Sequence, residues 1–250
     1  MTATLSPQGI RHSQMPVQPK DVPQDGLRRW TPDEYHRMIE MDLFDGVHVE
    51  LLSGGIWQVH APDFHRWTPE QYHRLIESGF FDDGRVELLE GLIWDMAGQM
   101  TPHTTGIRLT QLCLEEVFAG TFEVRVQMPI ALLDGTEPEP DVAIAPGTPF
   151  DYLDHHPGPD ELLLAVEVSD STLAKDRGLK LTAYAKAGVI ECWIVNLVQR
   201  QLEVYRRPSP AGIYTDTAIY QPGQSVAPLN APDKPVAVAD LLPPEPKQNL

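Results

Sequence analysis

Two carboxylates and a lysine stand where they could share chemistry. Asp141 opens the apolar run Val142-Ala143-Ile144-Ala145, and Glu167 interrupts Leu162-Leu163-Leu164-Ala165-Val166-Glu167-Val168-Ser169. Both runs read as buried strands, because short apolar stretches rich in β-branched residues suit a sheet interior. A lone ionised carboxylate there is costly unless a cation or hydrogen bonds offset it. Two acids on adjacent strands could share a divalent metal, and as hard oxygen donors they suit Mg²⁺ or Mn²⁺. Lys180 follows in Asp176-Arg177-Gly178-Leu179-Lys180-Leu181-Thr182-Ala183-Tyr184. At spacings of four, Asp176, Lys180 and Tyr184 are expected along one helical face. Acid, acid and lysine around a sheet would serve a metal-dependent phosphodiesterase, with the lysine orienting water or stabilising charge at phosphorus.

Each of these residues also has a plainer reading. Asp141 follows Pro140 and could be a strand-end acid bonded to backbone. Glu167 shares a strand face with Ala165 and Ser169; on an edge strand it would be solvated, although its apolar flanks favour an interior strand. Lys180 could form a surface ion pair with Asp176. Glu87, within Val86-Glu87-Leu88-Leu89, is either a third carboxylate near the metal or, on alternation, a solvent-facing hairpin residue. His103 reads as a cap-region residue ahead of a helix beginning near Thr104, or as a metal or phosphate contact. The pair His155-His156 lies in a Pro-rich loop and is given no catalytic weight. No GxGxxG, P-loop, HExxH, GxSxG or cysteine-based zinc pattern occurs.

What must position these groups is an α/β domain. The chain has 250 residues, enough for one core with an appendage. Its net charge of −17 argues against a broad footprint for nucleic acid, while leaving room for a local basic groove or a small or protein substrate. The two cysteines, Cys113 and Cys192, have no metal-ligand spacing, which points to a reducing compartment. No apolar signal segment opens the chain and no run approaches a membrane span, so a soluble, cytoplasmic protein is expected.

Residues 1–28, rich in Pro, Gln and Ser, are predicted to be a disordered tail, as are residues 243–250. Between them lies an internal duplication. Arg29-Trp30-Thr31-Pro32-Asp33-Glu34-Tyr35-His36-Arg37 returns as Arg66-Trp67-Thr68-Pro69-Glu70-Gln71-Tyr72-His73-Arg74, and Val49-Glu50-Leu51-Leu52 as Val86-Glu87-Leu88-Leu89. At an offset of 37, about 18 of 29 positions are identical. Two copies without a third argue against a solenoid. Residues 29–65 are therefore a partial duplicate of the first helix-hairpin unit of a domain spanning 66–242. Each copy predicts a capping box (Thr31 with Glu34, Thr68 with Gln71), proline at the first helical position, and a hairpin turning at Ser53-Gly54 or Glu90-Gly91. Beyond copy two, a helix is expected over Thr104–Phe118, a strand over Phe122–Leu132, and a helix over Leu173–Ala187 ended by Gly188. Further strands are expected at Glu191–Leu197, Gln201–Arg206 and Tyr214–Gln221.

In this order, the hairpin with Glu87, Pro102-His103, Gln127-Met128-Pro129-Ile130, Glu139-Pro140-Asp141-Val142, Val166-Glu167-Val168-Ser169, Asp176…Lys180…Tyr184 and Gly188-Val189-Ile190-Glu191-Cys192-Trp193 resemble the Uma2 family of predicted endonucleases. The resemblance covers roughly Trp67 to Leu242. It implies the restriction-endonuclease-like PD-(D/E)XK fold, a mixed central sheet flanked by helices. Asp141 would stand for the D of the PD element and Glu167 for the (D/E). Ser169 takes the usual lysine position, and Lys180 would be its migrated replacement. Glu87 matches the family's early glutamate, with His103, Gln127 and Tyr184 as accessory residues. The implied activity is Mg²⁺- or Mn²⁺-dependent nucleic-acid hydrolysis, with DNA as partner and a homodimer as assembly. Two other readings stay open. One is a non-catalytic binding or scaffold protein that keeps the fold, suggested by Ser169 and the acidic balance. The other is a hydrolase of a small phosphoester.

Overall fold

A computed structural model describes residues 26–245, apart from 60–62, 121 and 134. Most of the predicted N-terminal tail, residues 1–25, and residues 246–250 of the C-terminal one lie outside the described residues. The chain divides into two compact units, one holding Arg29–His65 and the other Gly26–Arg28 with Arg66 onward.

The first unit consists of helix α1 (Pro32–Glu40) and a hairpin of β1 (Val49–Leu52) and β2 (Gly55–Gln58). The second opens with the same design in α2 (Pro69–Glu77), β3 (Val86–Leu89) and β4 (Leu92–Asp95). Both helices start on the expected reciprocal capping boxes with proline in the first turn. The same long-range bonds close each copy. Tyr35 Oη donates to the Val49 carbonyl at 2.9 Å and Tyr72 Oη to that of Val86 at 3.0 Å. Arg29 donates to the Ser53 carbonyl and Arg66 to that of Glu90. The repeated residues are thus the ones that make each copy fold on itself. Within the second unit, Leu27 is buried and bridges Trp94, so that residues 26–28 run beside β4.

The rest of the second unit continues with α3 (Thr101–Val117), β5 (Phe122–Val126), β6 (Val142–Pro146), β7 (Leu164–Ser169), α4 (Leu173–Lys175), a π turn (Asp176–Lys180), α5 (Leu181–Ala187), β8 (Glu191–Asn196), β9 (Gln201–Ser209), β10 (Ile213–Tyr220), β11 (Ser225–Val226), β12 (Val236–Ala237) and α6 (Val238–Leu241). A six-stranded mixed sheet in the order β10-β9-β8-β7-β6-β5 forms its centre. Only β7 and β8 pair in parallel; their crossover runs through α4, the π turn and α5. Alternation along β7 divides the core. Leu164, Val166 and Val168 pack with Ile107 and Leu114 of α3 and Val238 and Leu241 of α6. Ala165 packs with Ala183, Tyr184 and Ala185 of α5 on the opposite face. Among the described residues no helix is long and apolar enough to cross a membrane.

Three expected elements differ in detail. Helix α3 begins at Thr101, because Pro102 suits a first turn, so His103 lies inside the helix rather than ahead of it. The strand expected to run to Leu132 stops at Val126, where Gln127 takes a left-handed φ of 50°. The helix after β7 contains a π turn where a regular α-helix was expected.

Helix α3 approaches the sheet closely at Gly106, where an added Cβ would lie 2.8 Å from Val168 Cγ1 and 3.4 Å from Leu197 Cδ2. Val168 is fully buried and stiff at χ1, so it has little room to yield. Gly106→Ala is therefore expected to cost about 1–3 kcal/mol through overpacking, despite alanine's better helix propensity. Urea unfolding of the two proteins would show it; equal or greater stability in the variant would contradict the packing argument.

Candidate active site

The two strand acids meet through register. Val142 pairs with Val166 across the antiparallel β6–β7 ladder, and one step further Asp141 stands opposite Glu167. Neither is solvated: Asp141 is 8% exposed and Glu167 2%. Asp141 Oδ2 accepts the Val168 amide at 2.8 Å and Oδ1 the Gln127 Nε2 at 3.2 Å. His103 Nε2 lies 3.5 Å from Oδ1. Burial alone would raise the Asp141 pKa, but His103 and Lys180 outweigh it and hold it below the usual carboxylate range. In return the Asp141 carboxylate raises the His103 imidazole. Gln127 also donates its amide to the Asp141 carbonyl. Its left-handed backbone, unfavourable for a residue with a Cβ, is held by these two bonds to the same aspartate.

Glu167 faces the α5 side. Its Oε1 accepts the Tyr184 hydroxyl at 2.5 Å and its Oε2 the Lys180 ammonium at 3.1 Å. Burial lifts its pKa well above the ordinary value, against the pull of Lys180. Lys180 is itself buried, yet the surrounding carboxylates, Glu167 and Glu87 foremost, keep it firmly protonated. Its ammonium also lies 3.3 Å from Glu87 Oε2 and donates to the Glu139 carbonyl at 3.0 Å. Lys180 is thus no surface partner of Asp176, and Glu87 is no solvent-facing hairpin residue, being 1% exposed. The β3–β4 hairpin reaches the site because Leu88 bridges Glu137, just ahead of Asp141.

Glu87, His103, Gln127, Asp141, Glu167 and Lys180 all line one cleft, and Tyr184 stands behind Glu167. Four further lining residues escaped the sequence reading as site groups: Glu139, Asp170, Lys175 and Asp176. Lys175 Nζ lies 2.6 Å from Glu87 Oε1, over the Trp94 ring. The two lysines together outweigh burial and hold Glu87 below its ordinary range. Asp176 Oδ2 accepts both Ser169 Oγ and Thr172 Oγ1 at 2.7 Å, and burial raises its pKa. Glu139 pairs with Arg85 at the cleft edge. For Asp170, Lys175 and Asp176, the signal that could have found them is the density of charge after Glu167, where these three lead up to Lys180; nothing local marks Glu139.

Six carboxylates thus line the cleft against two lysines and His103. Four of these carboxylates, Glu87, Asp141, Glu167 and Asp176, are buried; such crowding is what a bound divalent cation would relieve, and carboxylate oxygens are the donors that Mg²⁺ and Mn²⁺ take. The donor set fits a hard divalent ion in type. Among the described residues no group of three His, Cys, Asp or Glu side chains is spaced to hold a metal ion; Asp141 and Glu167 are the two that face each other across the ladder.

Behind the site, Arg177 pairs with Glu203 on β9. Burial would raise the Glu203 carboxyl, but hydrogen bonds from Arg177, Asn196, Tyr205 and Gln201 hold it down to about 2. An unfolded glutamate titrates near about 4.3. Because the folded value is the lower one, this carboxylate contributes stability that is complete above the unfolded pKa and lost as pH falls through the folded one. The contribution is at most about 3 kcal/mol. Glu203→Gln is expected to flatten the fall of Tm with pH in that acid window, as thermal melts across it would record.

No curated protein matches the chain. Among solved structures, it is similar to one described as a "putative nuclease belonging to DUF820 from Anabaena variabilis", with a TM-score of 0.54 and 14% identity, over 70% of this chain and 96% of that one. At that identity the likeness is one of fold. The Uma2 family, described as "Putative restriction endonuclease", matches residues 69–234. That span includes Glu87, His103, Gln127, Asp141, Glu167, Lys180 and Tyr184 and leaves out the first copy of the duplicated unit. With well over half its length matched, the chain belongs to the Uma2 family.

Proposed function

We propose that this protein is a metal-dependent endonuclease that hydrolyses phosphodiester bonds of nucleic acid, with DNA as substrate and Mg²⁺ or Mn²⁺ as cofactor. The observation that carries the reading is the convergence of Asp141, Glu167, Glu87 and Lys180, from four separate elements, on one buried and net acidic cleft. Asp141 and Glu167 would hold the ion, which when bound supplies Lewis acidity for activating water and polarising a phosphate oxygen. The protein's own groups do the rest. The Val168 amide and Gln127 fix the Asp141 carboxylate, and Tyr184 fixes that of Glu167. Lys180 places a permanent positive charge beside the reacting phosphate, where charge builds up in the transition state. Glu87 holds that ammonium from the other side and orients water. His103, with its Nε2 3.5 Å from Asp141 Oδ1, would contact a phosphate oxygen.

The test is plasmid nicking in Mn²⁺ at low salt, wild type beside Asp141→Ala. Cleavage by wild type alone supports the reading; equal cleavage by both sinks it. The acidic lining favours a second substrate class, a small phosphoester that needs no basic groove. Inhibition of plasmid nicking by millimolar mononucleotide would point to that class. The family resemblance also implies a homodimer, which sedimentation at two protein concentrations would test.

A further inference from the structure

The helix after β7 is irregular where its site residues stand. In the π turn Asp176–Lys180, the Leu181 amide donates to the Asp176 carbonyl, five residues back. Such a turn is rarely stable by itself and persists where its neighbours hold it. Packing does not hold its middle, since a Cβ at Gly178 would meet nothing within 4 Å. Instead, consecutive side chains are held in opposite directions. Asp176 turns into the cleft, to Ser169 and Thr172. Arg177 lines no part of the cleft and turns to β9, donating Nε to Glu203 Oε2 at 2.9 Å and Nη2 to Oε1 at 2.5 Å. Its Nη2 also reaches Gln199 Oε1 at 2.9 Å. Glu203 is a rigid anchor, because Asn196, Gln201 and Tyr205 also donate to it. Three residues beyond Arg177, Lys180 enters the cleft between Glu167 and Glu87.

We propose that Arg177 is a positioning residue: its two-pronged pairing with Glu203 holds the π turn open, and the π turn aims Lys180 between Glu167 and Glu87. Ser169, standing where the resemblance would place a lysine, completes the brace from the cleft side through Asp176. Without the brace the turn can relax to α geometry. Removing one residue from the register rotates one side of the helix by about 100° against the other, which carries the ammonium out of line.

The inference draws on the proposed nuclease activity for one readout, and a second is independent of it. Full-length wild type, Arg177→Gln and Arg177→Lys are compared by hydrogen exchange at the Leu181 amide and by kcat and KM for plasmid nicking in Mn²⁺. In Arg177→Gln, Leu181 is expected to exchange at least about tenfold faster with the β8 amides unchanged. Its kcat is expected to fall about 10²-fold, the cost of a misplaced group, with KM unchanged because Arg177 does not line the cleft. Arg177→Lys keeps the charge but not the fork and should fall between. Should Arg177→Gln not fold, Arg177→Lys and Glu203→Gln carry the same comparison. Leu181 protection equal to wild type in these variants overturns the brace, whether or not kcat falls. If wild type cleaves nothing, the nuclease reading fails while the exchange result still decides the brace.

Discussion

Lys180→Met will destabilise the protein by about 3–5 kcal/mol, the range for stripping one partner from a buried ion pair. The Lys180 side chain is 6% exposed, and those of Glu167 and Glu87 are 3% and 1% exposed. Methionine matches the lysine stem but leaves Glu167 facing Asp141 and Asp176 without the nearest cation, and the Glu139 carbonyl without its donor. Urea unfolding at neutral pH would measure the loss. Glu167 is already pushed towards its neutral form by burial, so the double variant Lys180→Met with Glu167→Gln should recover a substantial part of it. A loss under about 1 kcal/mol in the single variant would mean that solvent reaches the cleft far more freely than the structure indicates. On the proposed function, the single variant also loses about 10²–10³-fold in kcat, as enzymes do on losing one charge-stabilising donor.

The second large effect is expected at Asp141, where stability and catalysis can be separated. Asp141→Ala leaves the buried Val168 amide without its acceptor, a cost of about 1–3 kcal/mol, and removes a proposed metal ligand. Asp141→Asn keeps an oxygen for the Val168 amide but not the charge. Both variants should lose about 10³-fold in kcat for Mn²⁺-dependent nicking, equivalent to about 4 kcal/mol of transition-state stabilisation, while only the alanine variant melts appreciably lower. Calorimetric Mn²⁺ titration should show weakened binding in both. Full activity in Asp141→Asn would remove the aspartate's charge from the mechanism, and with it the proposed ligand role.

The two expectations differ in kind because the two residues meet different needs. Lys180 is held by two carboxylates and a backbone carbonyl, so the fold depends on it. Asp141 is held by the Val168 amide, Gln127 and His103; asparagine keeps an acceptor for the amide, and Gln127 can turn its own carbonyl to the new NH2 group.

The sequence by itself determined the local structure and the identity of the central acids. Capping boxes, prolines in first turns and Glu-Gly or Ser-Gly hairpin turns are short-range physics, readable at Thr31, Thr68, Glu90 and Gly91 without knowing what surrounds them. Acids inside apolar strands are readable for a similar reason, since the cost of burying Glu167 is a property of its immediate neighbours. Tertiary structure alone decided which charges meet. That Glu87 faces Lys175 and Lys180 depends on a hairpin docking beside Glu137, some fifty positions later in the chain. That Arg177 turns to Glu203 while Asp176 turns to Ser169 depends on a π turn, whose single-residue slip leaves no trace in a helical hydrophobic pattern. Contacts between distant residues carry no periodicity, so the lysine could be named from the sequence, but its place between two glutamates could not.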